Sequence, residues 1–468
     1  MCLAAQLAVA LAVVSAAAGP AAAAAMVDIR SFGAVPGNTS VAAALANARA
    51  VELAVQAAAA KGEAALVPRG LSFDLLPVHV TGVHGAWLHL EGNLSAHANI
   101  SDWGGSKKTK FPSLITFLAC EGVTITANAS SPAAIVGNGY DWWWARLLND
   151  LSYAPNLVYV QSCTDVLIDG VRTENSPRFN FYLLEVKRVE VRFVTVWTDL
   201  EGQRQGLEAA GHWDAAGRLP TFPLNTDGID VCGQDVWVHD VEITNWDDAL
   251  CVKPCRELTW GCSSNHTYEN AVIHFGVGAS VGSVPPSARV NCVRDILFRN
   301  ITFESPTKAI YLKSNGGDVG TAVVEDVTYE HIRATGSVWY PVYLGPQQQK
   351  EPDGRGDGWW PPTNPLVSFR NITMRDVQFD DVIWPQAGVL RCNASNPCTG
   401  VVLEDMTISG WNATEWVCEH ASGHATDVTP QPQCLAPTQR PGHLQVPDTT
   451  VASASTDGSR QPKPHKRL

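Results

Sequence analysis

Short runs of alternating apolar and polar residues recur along the chain, and this repetition constrains the fold more than any other feature. Seven such runs begin at Val166, Val189, Val236, Ile296, Val323, Val367 and Val401. The first two start 23 residues apart; the later gaps are 47, 60, 27, 44 and 34, the first of these close to twice 23. Alternation reads as strand, and a unit recurring every roughly 20–30 residues reads as one coil of a solenoid. A single coil cannot bury its apolar face, so the core exists only between stacked coils. Many runs break at a central Asn or Asp, a residue that tolerates left-handed φ in a turn. Asp165, Asp240, Asp295 and Asp326 are expected to serve in this way. The Leu-x-x-Leu-x-Leu spacing of a leucine-rich repeat is absent, and the tight Asn-Gly turns of a β-sandwich are not the rule. The fold class is therefore all-β, a right-handed parallel β-helix. The Ala-rich segment from Val41 to Ala60 has neither Pro nor Gly and predicts a helix that caps the open end.

Bulk properties narrow the function. Hydrophobic residues make up 45% of the chain and charged ones 17%, which fits a globular protein. A net charge of −13 argues against nucleic acid as a partner, and any polyanionic ligand would need a local basic pocket. Residues 1–25 form an apolar Ala/Leu/Val run ending in small residues, which reads as a signal peptide. No later run is long and apolar enough to span a bilayer, so no membrane association is expected after its removal. Setting aside Cys2, eleven of the twelve cysteines remain, with close pairs at Cys392/Cys398 and Cys418/Cys434. Such pairs suit disulfide-closed loops in an oxidising compartment, and the odd total leaves at least one free thiol. Zinc spacing is missing, and neither a metal nor another cofactor is expected. Nine Asn-x-Ser/Thr sequons, at Asn38, Asn93, Asn99, Asn128, Asn265, Asn300, Asn371, Asn393 and Asn412, point to a glycosylated, extracellular or cell-wall protein. One domain over 26–438 is expected, followed by a disordered Pro/Ser/Thr-rich tail over 439–468.

Several motifs converge on one family. Phe32-Gly-Ala34 and Val67-Pro-Arg-Gly70 flank the predicted helix; Ile135-Val-Gly-Asn-Gly139, Trp142-Trp-Trp144 and Asn175-Ser-Pro177 follow. The most specific are Asn225-Thr-Asp-Gly-Ile-Asp230 and Asn245-Trp-Asp-Asp248 with Lys253. In this order on this repeat, over about residues 27 to 434, they resemble the polygalacturonases of glycoside hydrolase family 28. The resemblance implies a monomeric enzyme acting on a pectic polysaccharide, with Asp247 as general acid and Asp227 with Asp248 activating water. It also brings Asn225 and Lys313 to the substrate. Two positions depart from the family pattern. Gly276-Val277-Gly278 stands where the family has Gly-His-Gly, and Tyr311-Leu-Lys313 where it has Arg-x-Lys.

Inverting hydrolysis needs a proton donor on one face of the sugar and a water-activating base on the other, with carboxyl groups about 6.5–9.5 Å apart. Crowded carboxylates cannot all ionise, so at least one should hold its proton at mildly acidic pH. Asp247 and Asp248 would point to opposite faces of a regular strand, so the pair must sit at a strand end or bulge. Asn225 is suited to orient Asp227 or a sugar hydroxyl, and Lys313 to pair with a substrate carboxylate. Tyr311 could stack on a sugar face. His274 is a further substrate-side candidate, although its offset of three residues from Val277 places it on the opposite strand face. Gln347 lies in a loop where hydrogen-bonding groups alternate with aromatics; Trp142 to Trp144 read as partly core. With Tyr311 in place of arginine, a rhamnogalacturonan or xylogalacturonan backbone competes with polygalacturonate as the substrate. A calcium-dependent lyase on the same fold and a non-catalytic glycan-binding solenoid compete with the hydrolase itself.

Overall fold

The computed structural model describes residues 25–105, 110–128, 132–149, 151, 153–211, 222–255, 261–289, 291–348, 361–410, 413 and 415–438. The expected tail, the expected leader apart from Ala25, and the sequon at Asn412 lie outside these residues. Twenty-eight strands pair in parallel and stack coil upon coil as a β-helix. Each coil contributes to three faces. On the first, Phe181, Ile229, Leu250, Ala279, Ile310 and Val342 align. The second aligns Val189, Val236, His266, Ile296, Val327 and Ile372, and the third Val196, Ile243, Ile273, Phe303, Ala334 and Phe379. All of these are buried, because alternation sends every second side chain inward. Tyr268, Phe298 and Tyr329 stack inside the core with successive ring centroids 4.8 Å apart, the strand spacing itself.

The corners are made by residues with left-handed φ. Asp165, Asp295 and Asp326 form the corner immediately before the second face, and Asp240 the corner between the second and the third. The sequence pattern marks all four. Asn265, Asn300 and Asn371 also occupy corners, where their amides donate to Asp235, Asn270 and Asp326 at 2.7, 2.7 and 3.0 Å. An Asn corner followed by a β-branched strand produces Asn-x-Thr by itself, so these three sequons have a structural origin besides glycosylation.

The uneven gaps have two causes. The 60-residue gap holds an extra coil, Ser263–Phe275, whose second-face positions are His266 and Tyr268 rather than aliphatic residues. The 47-residue gap holds no extra coil, contrary to its length, because Val189 pairs directly with Val236. The described part of the surplus chain includes a helix, Leu200–Ala209. Among the described residues three α-helices decorate the solenoid: α1 (Val41–Ala59), α2 (Tyr140–Asn149) and α3 (Leu200–Ala209). Ser40 caps α1 through Ala43 N–H, and α1 lays Ala44, Val51, Ala54 and Val55 on the first coils. Among the described residues no helix is long and apolar enough to cross a membrane. The pairs Cys392–Cys398 and Cys418–Cys434 are bonded, as are Cys232–Cys255 and Cys262–Cys292; Cys120, Cys163 and Cys251 are buried thiols.

Candidate active site

The turn from the third face to the first recurs in every coil, and neighbouring turns bring the candidate residues together. Asp247 and Asp248 fill the turn between strands Ile229–Asn245 and Leu250–Val252, the strand end that two adjacent carboxylates require. Asn245 is fully buried, and its Nδ2 lies within hydrogen-bond distance of the carbonyls of Thr226 (3.1 Å), Asp247 (3.0 Å) and Asp248 (3.0 Å). It ties the turn that carries Asp227 to the turn that carries the pair. Gly276 in the next turn has φ of +68°, and a Cβ there would come within 2.4 Å of Asn245 Oδ1. Only glycine fits that approach.

One carboxylate oxygen from each of Asp227, Asp247 and Asp248 lies within 4.8 Å of the others. The nearest oxygens are thus closer than the separation expected from the reaction type, because the turns are a single strand spacing apart. The three acids have different partners. Asp248 receives Lys313 Nζ at 2.8 Å on both oxygens, Lys253 Nζ at 3.0 Å and Ser280 Oγ at 2.8 Å. Asp247 accepts from Asn225 N–H at 2.8 Å and from Asp248 N–H at 2.9 Å. Asp227 has Lys253 at 3.7 Å, and its Oδ1 accepts no hydrogen bond among the described residues. All three are buried.

These surroundings separate the acids' proton affinities. Burial, reinforced by Asp247 and Asp230, raises Asp227 well above the carboxylate range. Asp247 is also raised, by burial and then by the charge of Asp248. Burial would raise Asp248 too, but Lys313 and Lys253 overcome it and hold the group below the usual range. Asp230, fully buried with Lys253 at 3.2 Å, is pushed up to about 6 by burial against that lysine's pull. The cluster therefore combines one carboxylate whose ionised form is favoured with neighbours whose surroundings favour the protonated form.

Three contributors have no role legible from sequence. Asp230 and Lys253 are visible there only as parts of motifs. Arg146 lies four residues beyond Trp142 on α2, where Trp142 and Trp143 are core and anchor the helix. Its guanidinium donates to the Leu224 carbonyl at 2.9 Å and to the Asn225 side-chain oxygen. Arg146 thus holds the residue that holds Asp247. The helical spacing of Arg146 from the tryptophans is the available signal, but nothing local says which turn the helix faces.

The two departures from the family pattern meet in space. Val277 packs against a cluster of Tyr311, Trp339, Tyr340, Tyr343 and Val389. Tyr311 is 2% exposed, so it lies beneath the site and contacts lysines: Lys313 Nζ is 4.3 Å and Lys308 Nζ 4.1 Å from its ring centroid. Lys308 Nζ is also 3.9 Å from the Trp339 ring, so a buried cation remains near the place of the missing arginine. His274 is not brought to the aspartates by any described contact; its ring nitrogens face Glu304 at 2.9 Å and Glu242 at 3.1 Å on flanking strands. Gln347 sits opposite Ser314 in register, one strand beyond Lys313.

Comparison with known proteins agrees with this architecture. Over 334 residues the chain is 25% identical to a probable rhamnogalacturonase E of Aspergillus flavus, a match covering 70% of this chain and 62% of that protein. The chain thus spans less than two thirds of that relative's length. It superposes on the endo-xylogalacturonan hydrolase from Aspergillus tubingensis with a TM-score of 0.63 at 20% identity, covering 89% of this chain and 99% of that one. A polygalacturonase from Erwinia carotovora ssp. carotovora superposes with a TM-score of 0.60 at 17% identity, covering 84% and 95% of the two chains. These two share the fold. The model of glycosyl hydrolases family 28 matches residues 59–428, most of the β-helix and every turn of the aspartate cluster, and the chain belongs to that family.

Proposed function

We propose that the protein is an exported hydrolase of α-galacturonosyl linkages in a pectic backbone, acting by inverting general acid/base catalysis. The observation that carries this reading is the unequal surroundings of adjacent carboxylates: Asp248 is clamped by two lysines, while Asp247 is buried with no cation in hydrogen-bond contact among the described residues. Asp247 delivers its proton to the leaving glycosidic oxygen, and Asp248, the ionised carboxylate, takes one from the attacking water that Asp227 helps to hold. A water bonded to two carboxylate oxygens spans at most about 5.4 Å at ordinary hydrogen-bond lengths, so the observed 4.8 Å limit leaves room for it. Four disulfides are consistent with export.

A second substrate reading has its own support. The family His and Arg positions have become one apolar and aromatic cluster around Val277 and Tyr311, and the Aspergillus flavus relative is a probable rhamnogalacturonase. A backbone of alternating rhamnose and galacturonate, or a xylose-branched one, is the substrate in that case. Calcium-dependent elimination is disfavoured, because two ammonium groups already supply the positive charge within the carboxylate cluster. The deciding assay is reducing-sugar release from polygalacturonate, xylogalacturonan and rhamnogalacturonan with a chelator present. Release from none of them would leave a glycan-binding solenoid; unsaturated products would indicate a lyase.

Three further outcomes are expected. Proton NMR of the first product should show the inverted anomer, and a retained anomer would exclude the assigned roles. Activity should fall as pH rises through the raised pKa of Asp247, which loses its proton, and as pH falls low enough to protonate Asp248. The profile is therefore a bell, with Asp248 setting its acid limb and Asp247 its alkaline limb. Replacing Arg146 with methionine should lower kcat about tenfold by freeing Asn225, with partial recovery in Arg146→Lys. Equal kcat for wild type and Arg146→Met would show that Asn225 keeps its place unaided.

A further inference from the structure

The first face continues beyond the aspartates toward the N-terminus, and there it opens a second site. Tyr182 is the register partner of Asp230, and Tyr159 is the partner of Tyr182. Both tyrosines alternate with buried residues, so they stand outward from the face that carries the aspartates, about 4.8 and 9.6 Å of strand spacing from Asp230. Their rings stack, with centroids 5.4 Å apart and planes at 29°. They line a cleft of about 320 Å³ together with Lys110, Arg178, His79 and Gln161, and no carboxylate is among its lining residues. In a chain of net charge −13 that is a local inversion of sign. Neither Arg178 nor Lys110 forms an ion pair among the described residues.

The cleft is joined to the catalytic turn. The Arg178 guanidinium lies 4.3 Å over the Phe179 ring, and Lys253 Nζ lies 5.8 Å from the same ring. Phe179 meets Tyr182 edge-on at 5.4 Å. An aromatic path flanked by cations thus leads from the cleft to Asp227, Asp230 and Asp248. Flat rings suit the apolar face of a pyranose, and unpaired guanidinium and ammonium groups suit a carboxylate.

We propose that this cleft is a distal subsite for a uronic-acid unit of the bound polysaccharide, with Tyr159 and Tyr182 as the platform and Arg178 and Lys110 as the carboxylate clamp. The proposal rests on the reading of the protein as a pectic hydrolase and adds how far, and in which direction, the chain is gripped. It also locates the basic pocket that an acidic polymer requires of so acidic a protein.

The test is titration calorimetry on full-length protein carrying Asp247→Asn, with galacturonate hexamer, its methyl ester and the dimer. Arg178→Gln and Lys110→Gln are each expected to weaken hexamer binding about tenfold, leaving the ester and the dimer unaffected. Tyr159→Ala should weaken acid and ester alike. Hexamer affinity indifferent to both charge substitutions, or equal losses for acid and ester, would overturn the proposal. Hydrolysis by otherwise unaltered protein is assayed separately. If no pectic polymer is cleaved but hexamer binding still falls in Arg178→Gln, the hydrolase reading fails and the cleft stands.

Discussion

Asparagine at position 247 is expected to lower kcat by about 10²–10⁴-fold, the contribution of a positioned general acid, with KM changed little. Asn225 N–H and Asp248 N–H bind different oxygens of Asp247, so asparagine, nearly the same in shape, keeps an acceptor for one of the two. What it removes is the transferable proton. Asp247 is suited to carry that proton because burial and the neighbouring Asp248 charge both disfavour its ionised form. Asp248→Asn should cost as much for the opposite reason, the loss of the one carboxylate that stays ionised. Reducing-sugar release on the preferred pectic polymer measures both. Asp247→Asn activity within tenfold of the unaltered protein would assign the acid elsewhere, with Asp227 the next candidate on proton affinity.

The largest effect on stability is expected from Lys313→Met. Lys313 is 1% exposed, and its ammonium touches both oxygens of a carboxylate that is equally buried. Breaking a buried pair from one side leaves a charge without its main partner, a loss on the order of 3–5 kcal/mol. Lys253 and Ser280 still reach Asp248, so the low end of that range is expected. The linkage has a definite sign. The depressed pKa of Asp248 contributes stability above its unfolded value and loses it as pH falls through the folded value. Lys313→Met should therefore flatten the acid side of the melting-temperature profile. Activity should fall as well, and its acid limb should move to higher pH as Asp248 becomes easier to protonate. The double variant Asp248→Asn/Lys313→Met should melt above Lys313→Met alone, since it removes the stranded charge. A melting temperature unchanged in Lys313→Met would show that the pair contributes nothing net.

Much of the architecture is legible in the sequence because a β-helix writes itself locally. Alternation shows in each run, corner residues are Asn or Asp for a steric reason, and α1 begins at Val41 as its composition predicts. The coil at Ser263–Phe275 is hidden because His266 and Tyr268 break the aliphatic pattern. His266 is nevertheless fully buried beside Tyr268, with its ring nitrogens 3.0 Å from the Gly233 carbonyl and 3.1 Å from the Tyr268 hydroxyl. Doubling the period across the 47-residue gap misleads, since an insertion carrying a helix lengthens a coil as well as a second coil would. Within the site, the aspartates stand out as motifs. The roles of Arg146 and Asp230 do not, because they arise from neighbours tens of residues away. Val277 and Tyr311 look like two separate losses in the sequence and prove to be one packed cluster.

Asp227, Asp247 and Asp248 are the same residue type, and the sequence alone determined that three carboxylates would gather at neighbouring turns. Which of them is ionised was decided by the tertiary structure. Lys313 follows Asp248 by 65 residues and Ser280 by 32, yet coil stacking sets both against its oxygens. A carboxyl's proton affinity depends on its burial and on the charges packed around it. In a solenoid those charges come from the coils above and below, at distances along the chain that no local pattern records.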